Sequence, residues 1–194
     1  AVEAALKMAR LTTGRSRFVS TEGSYHGKTF GSLSVSGRDS YKQPFAPLLA
    51  DCDVVPFGDL DALDEALTND VAGFIFEPIQ GEGGIHVASD DYLQGVRELC
   101  TERGVLLIAD EVITGFGRLG ANFGADYFDV LPDIMTTAKG LTNGTVPMSA
   151  VFVRKHVYDA FMDNTPEGAI ELFHGYTYSG HPLACAAGLA TLDV

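Results

Sequence analysis

The sequence predicts an α/β fold, a mainly parallel sheet with flanking helices. Two observations carry that expectation. Short β-rich apolar runs recur along the 194 residues, and amphipathic stretches of helical length separate them, the alternation expected of parallel strands joined by covering helices. Capping chemistry then punctuates the runs, with Asp59 ahead of one helix candidate and Gly104 directly after another.

Taken in order, residues 1–12 read as a helix already under way at Ala1, and strands follow at 17–20 and 53–55. Asp59 is the N-cap of a helix over 60–67, since its carboxylate can accept from an early helical N–H. A strand at 73–77 leads to a helix over 90–103, which Gly104 stops because glycine reaches left-handed backbone without a Cβ clash. The apolar run Val105-Leu106-Leu107-Ile108-Ala109 is a strand of 105–110 that ends in Asp110-Glu111. Further strands are expected at 133–137 and 150–153, and helices at 156–162 and 183–194, the last entered through Pro182 in its first turn. With no internal repeat, low-complexity tract or linker, residues 1–194 read as one domain. The missing initiator methionine and the uncapped final helix lead us to expect an incomplete domain, excised from a longer chain.

Composition narrows the class of function. Thirteen Lys+Arg stand against 26 Asp+Glu, a net charge of -13, which argues against nucleic-acid backbones and anionic membranes as partners. No apolar run approaches the roughly 20 residues of a membrane span, and no signal peptide is visible. Cys52, Cys100 and Cys185 are scattered and odd in number, so neither a disulfide framework nor a paired-cysteine metal site is suggested and a reducing cytoplasm is the expected compartment. His26, His174 and His181 make no metal-ligand spacing and read as structural.

Two strand ends concentrate the chemistry. Lys139 follows Ile134-Met135-Thr136-Thr137-Ala138 and precedes a glycine-containing turn, a setting that none of Lys7, Lys28, Lys42 and Lys155 shares. A lysine near a strand end is ordinarily a solvated surface residue; at the end of a mostly buried strand, burial can lower its pKa and make the amine a nucleophile. Asp110 ends another such strand, and in an open parallel sheet both groups would project at the carboxyl edge, where such folds bind ligands. An amine and an acid at one edge suit pyridoxal phosphate, whose aldehyde needs a lysine and whose ring nitrogen needs a carboxylate. Glu111 alternates to the other face, where it is expected to be a structural ion-pair partner.

Three segments then carry a family resemblance: Asp110-Glu111-Val112-Ile113-Thr114-Gly115-Phe116-Gly117-Arg118, Ala138-Lys139-Gly140, and His174-Gly175-Tyr176-Thr177-Tyr178-Ser179-Gly180-His181-Pro182. In order and spacing they resemble the class III pyridoxal-phosphate aminotransferases, over essentially the whole chain. Tyr25-His26-Gly27, residues 143–151 and the tail from His174 look most like the omega-amino-acid:pyruvate, or beta-alanine:pyruvate, branch. The resemblance implies the large domain of the fold type I enzymes, with an upstream Gly-Ser phosphate turn and a downstream small domain outside these residues.

It also implies roles. Lys139 would form the Schiff base with the cofactor and then shuttle a proton; Asp110 would hold the ring nitrogen protonated; Val112 and Tyr25 would cover the two ring faces, with His26 and Gly27 in the same cofactor-binding loop. Tyr176 and Thr177 would belong to the cofactor-binding set, with Thr177 reaching the phosphate in the neighbouring subunit of a homodimer that shares its active sites; from local sequence, this loop serves equally as a helix cap. Ile113 stands where many members carry glutamine, and the omega-transaminase branch is also aliphatic there. Phe76-Glu77-Pro78-Ile79-Gln80-Gly81-Glu82-Gly83-Gly84 instead matches the ornithine and 4-aminobutyrate aminotransferases, in which the residue matching Glu82 gates a carboxylate-binding arginine; a solvated loop acid is the alternative.

The expected activity is transamination from an omega-amino acid or amine to a keto acid such as pyruvate. Its rivals are a 4-aminobutyrate or ornithine type of transaminase, an aminomutase, a decarboxylating transaminase, or a piece inactive in isolation. A nicotinamide-binding domain is disfavoured because no GxGxxG follows an early strand.

Overall fold

Val71–Phe76 is buried at every position, the signature of a strand covered on both faces, and the rest of the domain is built around it. The computed structural model describes residues 1–194. In chain order the elements are α1 (Val2–Thr13), β1 (Arg17–Thr21), α2 (Phe30–Ser34), α3 (Asp39–Lys42), β2 (Cys52–Val55), α4 (Leu60–Ala66), β3 (Val71–Phe76), β4 (Ile79–Gln80), β5 (His86–Val87), α5 (Asp90–Arg103), β6 (Leu106–Asp110), α6 (Gly124–Tyr127), β7 (Ile134–Thr137), β8 (Ala150–Val153), α7 (Lys155–Asp163) and α8 (Pro182–Leu192). Single 3₁₀ turns occupy Gln43–Phe45 and Lys139–Thr142.

Six strands form one sheet in the order β2-β1-β3-β6-β7-β8. The first five run parallel, and β8 returns antiparallel to β7. Between β7 and β8 the chain makes only the short 3₁₀ turn rather than a crossover helix, which is the physical reason the direction reverses there.

Strand alternation divides the core into two layers. On one face Phe74, Phe76, Leu107 and Ala109 join Leu63 of α4 and Leu93 and Val96 of α5. On the other, Phe18, Ile75, Ile108 and Ile134 join Ala5, Leu6 and Ala9 of α1 and Val157 and Phe161 of α7. These side chains are close to fully buried, and each contributes roughly 1.5–3 kcal/mol if large and apolar.

All six expected strands and all five expected helices are present, with ends displaced by at most two residues. Asp59 does cap α4, its side chain accepting from the Ala62 N–H at 2.9 Å. Gly104 is left-handed at φ 61° and closes α5. Glu77 falls just outside β3, whereas the expected strand included it. The short α2, α3 and α6, the β4–β5 hairpin and both 3₁₀ turns are additions. None is long enough for periodicity to show.

Candidate active site

The parallel register sets the site. Asp110, the last residue of β6, pairs with Thr136 of β7, and Lys139 follows three residues later. The loop after β1 and the residue after β3 emerge at the same carboxyl edge, bringing Tyr25, His26 and Glu77 into the neighbourhood of Asp110. This is the edge at which open parallel sheets collect their ligands.

Asp110 is only 5% exposed and is held by three groups. Its Oδ2 lies 2.8 Å from His26 Nδ1, and its Oδ1 accepts from the Val112 N–H and the Thr136 hydroxyl, each at 3.2 Å. The backbone N–H of His26 donates to Ser36 Oγ at 3.0 Å, while His26 Nε2 is buried without a partner. The sequence suggests that His26 is a structural histidine within a cofactor-binding loop. The fold places it as the side-chain neighbour of Asp110.

Gly27 has φ 132°, and a Cβ there would lie 2.6 Å from Ser32 Oγ, so only glycine fits this bend. Tyr25 is half-buried, its ring meeting Tyr41 edge-on at 6.4 Å between centroids.

Lys139 opens the 3₁₀ turn with φ 45°, a left-handed conformation unusual for a non-glycine residue. The turn closes through the Gly144 N–H donating to the Lys139 carbonyl at 3.0 Å. Its side chain is exposed rather than buried, which corrects the expectation that burial would activate it. The amine forms no ion pair within the chain and borders two open cavities. One, of about 1070 Å³, also takes in Val112, Ile113, Phe116 and Asn143. The other, of about 890 Å³, takes in Thr142, Pro147 and Tyr176. Asp110 borders neither, and Thr177 stands exposed outside both. The tertiary structure thus groups Lys139 with Val112 and Tyr176, and Asp110 with His26.

Glu111 does turn to the opposite face, but it is no ion-pair partner. Fully buried, it accepts from the Thr114 hydroxyl, from the Gly124 N–H at 2.9 Å and from the Ala125 N–H at 2.6 Å, fastening the start of α6. Burial pushes its carboxyl above the ordinary range, and those three donors oppose the shift. Glu82 is exposed, and its carbonyl accepts from Arg38 Nη2 at 3.0 Å.

Sequence reasoning passed over Glu77. It is 4% exposed, with Oε1 accepting from the Tyr25 N–H at 2.9 Å and Oε2 from the Gly81 N–H at 3.1 Å. Burial raises its carboxyl pKa, while nearby His26 and the two N–H groups pull the other way. The signal was present, since Glu77 ends an apolar run as Asp110 does.

A family model, "Aminotransferase class-III", matches residues 1–194. The chain belongs to the class III aminotransferases. It is 46% identical over 194 residues, all of this chain, to an acetylornithine aminotransferase of Methanosarcina mazei, and 43% identical over 192 residues, or 99% of this chain, to one of Methanopyrus kandleri. These alignments span 46% and 47% of the two relatives, so this class III chain covers about half their length. Among solved structures, an amine transaminase of an uncultivated Pseudomonas species in PLP-bound form superposes with a TM-score of 0.91 at 40% identity, over all of this chain and 50% of that one.

The residues of this class III chain fit pyridoxal phosphate. A buried carboxylate with no lysine or arginine bonded to it suits a protonated ring nitrogen, and the unpaired Lys139 amine suits an aldehyde.

Proposed function

We propose that the protein transfers the amino group of a primary amine at the end of a carbon chain, such as that of an omega-amino acid, to a keto acid. The observation that carries this reading is the placement of an unpaired amine, Lys139, and a buried carboxylate, Asp110, at the ends of adjacent parallel strands. Bound pyridoxal phosphate would supply an aldehyde that captures amines and a ring that spreads negative charge from the carbon losing its proton.

The chain's own groups would do the rest. Asp110 would accept a hydrogen bond from the ring N–H, its charge kept in place by His26, Val112 and Thr136. Val112, fixed by its N–H bond to Asp110, and Tyr25 would cover the two ring faces. Lys139, released by the incoming amine, would take the proton from the substrate carbon onto Nζ and deliver it to the cofactor carbon that bore the aldehyde. Its exposed position on the 3₁₀ turn serves that movement. Donor and acceptor would use the same groups in turn, so ping-pong kinetics are expected.

Substrate choice has two readings. The omega-amino-acid:pyruvate reading is supported by the Tyr25-His26-Gly27 segment, by Ile113 at the cleft beside Lys139, and by the likeness to an amine transaminase. The second reading is acetylornithine as donor, favoured by the two curated relatives. Both place a reactive amine at a chain end remote from a carboxylate. Thr177, exposed in the loop leading to α8, supports a homodimer in which it serves the neighbouring site, while Tyr176 lines the cavity beside Lys139 in its own chain.

Full-length protein loaded with pyridoxal phosphate and assayed with beta-alanine, a simple amine and acetylornithine against pyruvate and 2-oxoglutarate tests the proposal. Transfer from at least one donor, abolished by Lys139→Ala, is expected. No transfer from any of them would defeat it.

A further inference from the structure

We propose that Glu77 is a positioning residue whose carboxylate locks the backbone of Tyr25 to that of Gly81, so that the ring-covering side chain and the Glu82 turn keep one fixed relation. The inference rests on the transaminase reading, in which Tyr25 covers the cofactor ring, and on the expectation that Glu82 gates a carboxylate-binding arginine.

The geometry is specific. The two oxygens of Glu77 face different segments, Oε1 taking the Tyr25 N–H at 2.9 Å and Oε2 taking the Gly81 N–H at 3.1 Å. These segments are 56 residues apart in sequence, belong to the loop after β1 and the β4–β5 hairpin, and have no sheet pairing with each other. A carboxylate can accept from two backbone donors at once through its two separate oxygens, which fixes the distance between them. Glu77 is 4% exposed, so a backbone donor left unmatched there would carry its full desolvation cost.

Neighbouring contacts show what is held. Gln80 Nε2 donates to the Glu22 carbonyl at 2.8 Å and to Thr21 Oγ1 at 3.0 Å, a second staple between the same segments. Arg38 Nη2 donates to the Glu82 carbonyl, and its Nη1 donates to the Tyr41 hydroxyl at 2.8 Å. The Tyr41 ring in turn meets the edge of Tyr25. A closed circuit therefore runs from Tyr25 through Glu77 to Gly81 and Glu82, then through Arg38 and Tyr41 back to Tyr25. Glu77 is its buried corner. Displacing either segment would move the Tyr25 ring and the Glu82 side chain together.

Glu77→Gln tests this, because an amide keeps the shape but replaces one acceptor oxygen with an NH₂ that opposes an N–H donor. In the full-length protein the pyridoxal phosphate dissociation constant, followed by cofactor absorbance, should rise about tenfold, the scale of one lost charge-assisted hydrogen bond. The KM ratio of 2-oxoglutarate to pyruvate should shift with it. Tyr25→Ala should move the cofactor constant alone, and Glu82→Ala the ratio alone. If Glu77→Gln fails to fold, Glu77→Asp keeps the charge but withdraws it by one methylene, and the same double shift is expected. A lower Tm with both quantities within about twofold of the parent would show a merely structural acid and overturn the inference. A parent protein that binds no pyridoxal phosphate would overturn the transaminase reading instead.

Discussion

His26 Nδ1 and Asp110 Oδ2 face each other at 2.8 Å, with the imidazole fully buried and the carboxylate nearly so. Two elements 84 residues apart in sequence are joined by that contact. An acceptor this well buried needs a partner, so the contact fixes where the carboxylate points. His26→Phe should therefore destabilise the protein by about 1–3 kcal/mol by leaving a buried carboxylate oxygen unmatched. Urea unfolding of parent and variant measures it, and an unchanged midpoint would show that the contact contributes nothing.

Asp110→Asn is expected to retain much of the cofactor while losing rate by two decades or more, about 3 kcal/mol of barrier, because a neutral amide cannot keep the ring nitrogen protonated. Single-turnover kinetics of the loaded variant provide the check. Transamination near the parental rate would remove Asp110 from its assigned role.

Borohydride reduction of the loaded protein, followed by peptide mapping, should place the cofactor on the peptide containing Lys139. Its amine is unpaired at the cavity edge, whereas Lys155 and Lys42 are engaged with Asp159 and Asp39. Label on Lys7, Lys28, Lys42 or Lys155 would reassign the nucleophile.

Glu111 gives a pH-dependent prediction. Burial raises its carboxyl above the ordinary 4.5, so the native state binds its proton more tightly than the unfolded chain does. The resulting contribution is fully present below the unfolded pKa and is lost as pH rises through the higher native pKa. Glu111→Gln should lower stability overall, by weakening the start of α6, yet flatten the decline in stability as pH rises from about 4.5. Parallel stability–pH curves for parent and variant would contradict this.

The two carboxylates at the end of β6 show what sequence could and could not supply. Apolar runs made β3 and β6 legible because strands covered on both faces must be apolar nearly throughout. Asp59 and Gly104 marked helix ends because capping is local, settled within a few residues. The same locality exposed Asp110 and Lys139 as candidates, and alternation put Glu111 on the opposite face. The partner of Glu111 was misjudged, since its donors on Gly124 and Ala125 lie 13 and 14 residues ahead in a helix too short to be read.

By itself, then, the sequence determined the α/β class, the strands, the main helices and the identity of the chemical groups at the sheet edge, all of which depend on local pattern. Only the tertiary structure decided the strand order β2-β1-β3-β6-β7-β8, the reversal of β8, the exposure of Lys139, the pairing of His26 with Asp110 and the clamp at Glu77. Each of these depends on where segments tens of residues apart come to rest. Register and the desolvation of polar groups are properties of that packing, and no stretch of the chain read alone contains them.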